Sequence, residues 1–313
     1  MGEQTPSSGE GSRATVVHDK LRQIFQCAEV ADLPAMSGNV QELLSLTASA
    51  RSAANDLAQV ILRDYSLTNK VLRVVNSVIY ARPKPVNSVS RAVTVIGFDA
   101  VRELAAAIAL FEDFIAAGVD KEGVARVLTR SLLSALQAKI LVAEKGIGVD
   151  AEEAFICALL HTFGRILVQV YLPGPYHRIE MRVDQGLSLE AATREILEGI
   201  SFQEVGEEMA RLWNLSPQLI DAMTPYPPLP RDRSDEKAYL QNLAAFTNGL
   251  TAKFCAGEKL AALVKEYRPV LGVDREGAIA LVRQSVEMAE DFSDTIRSGL
   301  QKLGVRQRLA KFG

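Results

Sequence analysis

Histidine is scarce: the chain has three in 313 residues, at His18, His161 and His177. A catalytic metal centre needs several imidazole and carboxylate ligands and an open position, so three scattered His argue against a binuclear site. The three Cys (Cys27, Cys157, Cys255) form no CxxC or CxxxC pair. They read as packing thiols in a reducing compartment, neither a disulfide framework nor a redox pair. No apolar run reaches the roughly 18 residues of a membrane span. The polar N-terminus, MGEQTPSSGEGSR, has no apolar export core, so a cytoplasmic location is expected. The net charge is −3, and nothing global points to nucleic acid or an anionic membrane. GxxxxGK[ST], GxGxxG and GxSxG are all missing, which removes a P-loop, a dinucleotide fold and a nucleophile elbow. With so few His, a Ser-His-Asp site has little support.

What is present is apolar helix. Hydrophobic residues make up 48% of the chain, enough for sizeable cores, and the length permits about two domains. The segment Phe155 to Val170, FICALLHTFGRILVQV, is almost wholly apolar around a polar pair, His161-Thr162. It reads as a buried helix, or as two helices joined at Gly164. A buried polar pair needs hydrogen-bond partners, since leaving one unpaired costs roughly 1–3 kcal/mol.

Around that segment the sequence predicts helices and no strand alternation. Residues 1–13 read as a disordered tail. A first helix runs from Val16 to Val30, and Val40, Leu43, Leu44 and Leu46 mark a second. The third, with Asn55 or Asp56 as cap, carries Leu57, Val60, Ile61 and Leu62. The fourth spans Leu67 to Tyr80, its apolar stripe opposed by Asn69, Arg73, Asn76 and Tyr80. After the loop ARPKPVNS come Val89 to Ile96 and Val101 to Phe114, with Gly97 as an αL stop and Asp99 as the next N-cap. Asp120 to Gly123 is the expected joint between a domain over 14–118 and another over 119–313.

Beyond it, Val124 to Glu144 is a long amphipathic helix closed by Gly146. Asp150 caps the helix leading to His161. Helices follow at 175–185, 188–198, Phe202 to Trp213 and Gln218 to Met223, the last with Ser216-Pro217 as N-cap and N1. Thr224 to Glu236, with four prolines, is loop. Ala238 to Lys253, Leu260 to Tyr267 and Arg275 to Gln301 complete the helices before a basic tail, VRQRLAKFG. The acid pairs Glu152-Glu153 and Glu207-Glu208 read as first-turn or solvated helix residues.

The order of residues from Asp64 to Tyr80, DYSLTNKVLRVVNSVIY, then a Pro-rich turn, then AVTVIGFDAVR, resembles the N-terminal half of the HDOD (HD-related output domain) family. ALLHTFGRIL resembles that family's LLHDIGKLxL, and SFQEVGEEMARLWNLSPQLIDAM resembles its xHxEVGxxLxxxWxLPxxIxxAI. The likeness covers about Leu33 to Asn248. It implies an all-α fold, an N-terminal helical bundle packed on a degenerate domain related to the HD metal-dependent phosphohydrolases.

Carried over position by position, the ligand set of an HD hydrolase is poor here. The first-His position falls on Arg130, the His-Asp pair on His161-Thr162, and a further His on Gln203. The following His pair falls near Pro227-Pro228, and the last Asp on Asn242. The expectation is no catalytic residue, no metal and no cofactor. His161 is then a core imidazole bonded to a carbonyl or a neighbouring side chain. A sharper alternative is a remnant pocket formed by Arg130, His161, Thr162, Arg165, Gln203 and Asn242, which would accept a phosphate or nucleotide.

Arg63, Lys70, Arg73, Arg82, Lys84, Arg91 and Arg102 read first as a solvated face with acidic neighbours. Arg73, Asn76, Tyr80, Arg82 and Lys84 form a candidate partner surface. The resemblance implies a stand-alone bacterial signal-transduction protein that binds a partner protein or a phosphorylated small ligand, with no hydrolase activity. The alternatives are an HD-type metal-dependent phosphohydrolase with an altered site, and a scaffold that self-associates through its C-terminal helices.

Overall fold

The computed structural model describes residues 16–24, 38–46, 53–76, 86–146, 148–213, 215–230, 235–290 and 292–311. Every regular element among them is helical. The first half holds α1 (residues 16–24), α2 (Gly38–Ser45), α3 (Ala53–Leu62), α4 (Tyr65–Val75), α5 (Val89–Ile96) and α6 (Phe98–Ala117). The second opens with α7 (Lys121–Lys145), α8 (Ala151–Leu160), α9 (Phe163–Tyr171), α10 (Pro173–Asp184), α11 (Leu189–Ile196), α12 (Phe202–Leu212) and α13 (Pro217–Asp221). It closes with α14 (Glu236–Ala256), α15 (Ala261–Leu271), α16 (Arg275–Ala289), α17 (Asp294–Leu303) and α18 (Val305–Leu309). The all-α expectation holds.

Local chemistry sets most boundaries. Asp120 accepts from Gly123 N, Asp150 from Glu152 N and Glu153 N, and Ser216 from Leu219 N, each answering N–H groups the helix leaves open. Gly146 ends α7 in the left-handed region, φ 60° and ψ 35°, where a side chain would be strained. Other expectations need correction. Gly97 has φ 95° but ψ 161°, so it is a sharp turn and not an αL stop. That turn starts α6 at Phe98 and leaves Asp99 inside its first turn. Asn55 and Asp56 likewise lie inside α3, not at its cap.

The expected helix from Arg275 to Gln301 is two helices, because Ser293 caps a new start by accepting from Ile296 N. The basic tail folds into α18, with Val305 buried. Leu62, grouped with the apolar residues of the third helix, is exposed, and so is Leu212 at the end of α12. Glu208 is not solvated: it is buried and bonded to Nδ1 of His18 at 2.9 Å. Tail residues 1–13, Cys27 and Leu33-Pro34 lie outside the described residues.

The two halves share one continuous apolar core. Helix α6 is its centre, burying Ala105, Ala106, Ala107, Ile108 and Phe114 against α7, α8 and α9. Long helices α7, α14 and α16 are registered by a buried polar chain. Ser134 Oγ donates to Thr251 Oγ1 at 3.0 Å, Thr251 to Gln137 Oε1 at 3.2 Å, and Gln137 Nε2 to Ser285 Oγ at 3.2 Å. Such a chain tolerates no slip, because any shift would orphan buried groups.

Candidate functional site

The apolar segment 155–170 is broken at His161-Thr162, three residues earlier than Gly164. Helices α8 and α9 meet there at 42°. Gly164 serves a different purpose: a Cβ on it would lie 1.8 Å from the Phe202 carbonyl oxygen and 2.6 Å from Gly206 N. Only glycine lets α9 and α12 approach this closely. The bend brings the His161 ring to the end of α13, where Nδ1 lies 2.6 Å from the Ala222 carbonyl oxygen. A carbonyl only accepts, so Nδ1 carries the hydrogen, and in the neutral ring Nε2 keeps its lone pair. Burial pushes the imidazole pKa down, and the Ala222 bond opposes this. The His161 ring is thus committed to a backbone carbonyl, with its pKa held below the ordinary value.

One turn past the bend, Arg165 donates from Nε to the Tyr176 hydroxyl at 2.9 Å, its guanidinium 5.7 Å from that ring's centroid. Arg130, on α7, lies within electrostatic range of Arg165 and Tyr176 and against the Cys255 thiol. Burial and then the Arg165 charge lower its pKa. Its Nε is buried with no hydrogen-bond partner. Arg308 of α18 also lies in range of the Cys255 thiol. Among the described residues, neither Arg130 nor Arg165 has a carboxylate within ion-pair distance. Better-solvated arginines do: Arg63 pairs with Glu42, Arg182 with Glu195 and Arg211 with Glu207. The half-buried pair is the one left without an anion, although burial is where an unbalanced charge costs most.

The other inherited positions are committed elsewhere. Gln203 Nε2 donates to Glu207 Oε1 at 2.7 Å, and Asn242 Nδ2 to the Pro228 and Ala238 carbonyls at 2.8 Å each. Thr162 stands at the N-cap of α9 without a side-chain cap bond. Among the described residues no three His, Cys, Asp or Glu side chains converge as a metal would need. Of the positions that the resemblance assigns to ligands, Arg130 offers a guanidinium and Gln203 and Asn242 offer amides. This donor set does not fit a divalent cation.

The structure thus brings Arg130 and Arg165 together and gives His161, Gln203 and Asn242 separate partners. Tyr176, Cys255 and Arg308 join the arginines without having been singled out for that role. Tyr176 stands behind the Pro-Gly-Pro that opens α10 and Cys255 looks like a packing residue, so neither carries a sequence signal.

On the candidate partner surface, Arg73 is exposed, whereas Asn76 acts as a staple. Its Nδ2 donates to Val86 O at 2.8 Å and its Oδ1 accepts from Val86 N at 2.7 Å, closing the loop between α4 and α5. Tyr80, Arg82 and Lys84 lie outside the described residues. Arg63 and Lys70 pair with Glu42 and Glu112, as a solvated face would.

Comparison with known proteins places this geometry. The chain is similar to a Geobacter sulfurreducens HDOD domain protein of unknown function, 20% identical, with a TM-score of 0.64 over 96% of this chain and 97% of that one. It is also similar to a Shewanella amazonensis SB2B protein provisionally named a phosphohydrolase, 23% identical, with a TM-score of 0.65 over 86% of this chain and 98% of that one. A Marinobacter aquaeolei VT8 protein provisionally assigned to signal transduction is 20% identical, with a TM-score of 0.58 over 94% of this chain and 66% of that one. At these identities the likeness establishes the fold. An uncharacterised Treponema pallidum (strain Nichols) protein is 20% identical over 230 residues, 73% of this chain, which spans 44% of that relative's length. The HDOD domain model matches residues 33–226, and the chain belongs to the HDOD family.

Proposed function

We propose that this HDOD chain is a non-catalytic signal-transduction component, and that its degenerate HD centre holds an anionic group of a small ligand, a phosphate or nucleotide phosphoryl, between Arg130 and Arg165. One observation carries this reading: two guanidiniums near enough to repel each other, one with an orphaned buried Nε, and among the described residues no carboxylate paired with either. Guanidinium forks match phosphate oxygens in charge and geometry. Tyr176 holds Arg165 by both its hydroxyl and its ring face, fixing one fork in place.

The test is thermal stability and calorimetric titration with inorganic phosphate and pyrophosphate. Wild type is expected to gain stability with added anion, and Arg165→Ala to lose that response. Arg130→Met, which removes a buried charge and keeps the volume, is expected to be neutral or stabilising by about 1–4 kcal/mol without anion and to lose the response too. An anion response unchanged in both variants would sink the proposal. The phosphohydrolase alternative is supported by the fold and by the provisional name of the Shewanella protein. Metal at one or two equivalents in purified protein, with phosphodiesterase activity lost in His161→Ala, would replace the regulator reading.

A further inference from the structure

Away from the arginine pair, a cavity of about 680 Å³ opens between the two halves. Its walls come from α2 (Gln41, Ser45) and α6 (Arg102, Glu103) on one side. On the other stand Glu153 and Ile156 of α8, with Leu212, Trp213, Leu215, Ser216, Gln218 and Leu219. That volume lies within the range of small-molecule sites, roughly 300–1,000 Å³. One wall is apolar, built from Ile156, Leu212, Trp213, Leu215 and Leu219. The Trp213 ring is braced from behind by Phe163, 5.1 Å between centroids and edge-on at 62°.

The polar side is acidic and short of cations. Among the described lining residues the one basic side chain, Arg102, is shared between several acceptors: Nη1 donates to the Leu46 carbonyl at 2.9 Å, Nη2 pairs with Asp99 at 3.2 Å and, at a long 3.4 Å, with Glu103 Oε1, and Nε is buried without a hydrogen-bond partner. Among the described residues Glu103 Oε2 is buried with no hydrogen-bond partner. Burial pushes the Glu103 carboxyl up to about 7, the state of an acid without a full cationic partner. Glu153 has a side-chain bond from Gln218 and, among the described residues, no ion pair; Asp150 and Glu236, which act on it, are also negative.

We propose that this interdomain cavity is a second ligand site, for an organic cation of amidine or guanidine type carried on a flat apolar body. Its N–H groups would meet Glu103 and Glu153, and its body would lie on the Trp213 wall. An amidinium supplies paired donors that a carboxylate accepts side by side, and a cation over an indole face gains further. The site does not depend on the reading of Arg130 and Arg165.

The chain contains one Trp, so selectively excited tryptophan emission reports on this wall alone. Titrating the full chain with benzamidine, inner-filter corrected, is expected to give a saturable change in Trp213 emission, with matching saturation-transfer NMR signals from the probe. Benzoate, the same shape with the opposite charge, is expected to give none. Glu153→Gln, a change in the solvated first turn of α8, should weaken benzamidine binding about tenfold, the loss of one charged contact. Glu103→Gln should weaken it similarly, and Arg130→Met should leave it unchanged. The proposal is overturned if benzamidine gives no saturable response, if benzoate binds as well, or if both Glu variants keep wild-type affinity.

Discussion

At the residue scale, two half-buried groups have pKa values shifted in opposite directions by burial. Glu103 has a carboxyl pKa raised from 4.5 to about 7 by burial. The native state therefore holds its proton more tightly than the unfolded chain does. Stability falls as pH rises from 4.5 to about 7, by on the order of 3 kcal/mol in total. His161 has a pKa lowered from 6.5 by burial, so its native environment resists protonation. Its contribution is complete above 6.5 and is lost as pH falls below that value. Glu103→Gln is therefore expected to raise the urea midpoint above pH 7, with an advantage over wild type that shrinks towards pH 4.5. Urea melts of both proteins across that range check this. A constant difference between them would mean that the Glu103 charge has no cost in the fold.

At the scale of elements, α9 against α12 is the least forgiving contact. Gly164 faces the Phe202 carbonyl with no room for a methyl group, and Gly206 packs back on Gly164 N at 2.9 Å from its own would-be Cβ. The obstruction is backbone, which cannot rotate aside. Gly164→Ala should force the helices apart and cost about 2–4 kcal/mol, against the gain of up to 1 kcal/mol that Ala gives a solvated helix. Chemical denaturation of the variant measures the sign. A stabilised G164A would show that the two helices can part freely.

This scale also marks how far the sequence is legible. Caps at Asp150 and Ser216 and the stop at Gly146 are readable because they depend on residues three or four apart. Ser293 is the same chemistry, hidden inside a continuous periodic pattern that runs from Arg275 past it. The burial of Val71 and Val74 follows from their spacing along α4, and that of Ala105–Ala107 from a helix apolar on nearly every side. What spacing cannot show is convergence. Arg130, Arg165, Tyr176 and Cys255 come from α7, α9, α10 and α14, and the acidic cavity draws on still more elements. Both sites exist only once those helices have packed.

At the scale of the whole molecule, the halves expected at 14–118 and 119–313 are joined by aromatic packing through the core. Phe163 on α9 touches both sides: its ring centroid lies 6.2 Å from that of Phe114 on α6 and 5.1 Å from that of Trp213. All three side chains are buried, Phe114 and Phe163 almost completely. Polar ties run the same way, His18 of α1 to Glu208 of α12 and Lys20 Nζ to the Glu198 carbonyl at 2.9 Å. A core that is continuous across the boundary makes separate unfolding of one half expensive, since it would expose α6 and the faces of α8 and α9 together. The described part of the chain should therefore melt in one cooperative transition. Phe163→Ala should cost about 3–5 kcal/mol while keeping that transition single, and native Trp213 emission should shift to the red as its brace is lost. Calorimetry and tryptophan fluorescence measured on the same variant give the answer. Two resolved transitions, only one of them seen by Trp213, would show that the halves are independent and that the cavity between them opens without unfolding either.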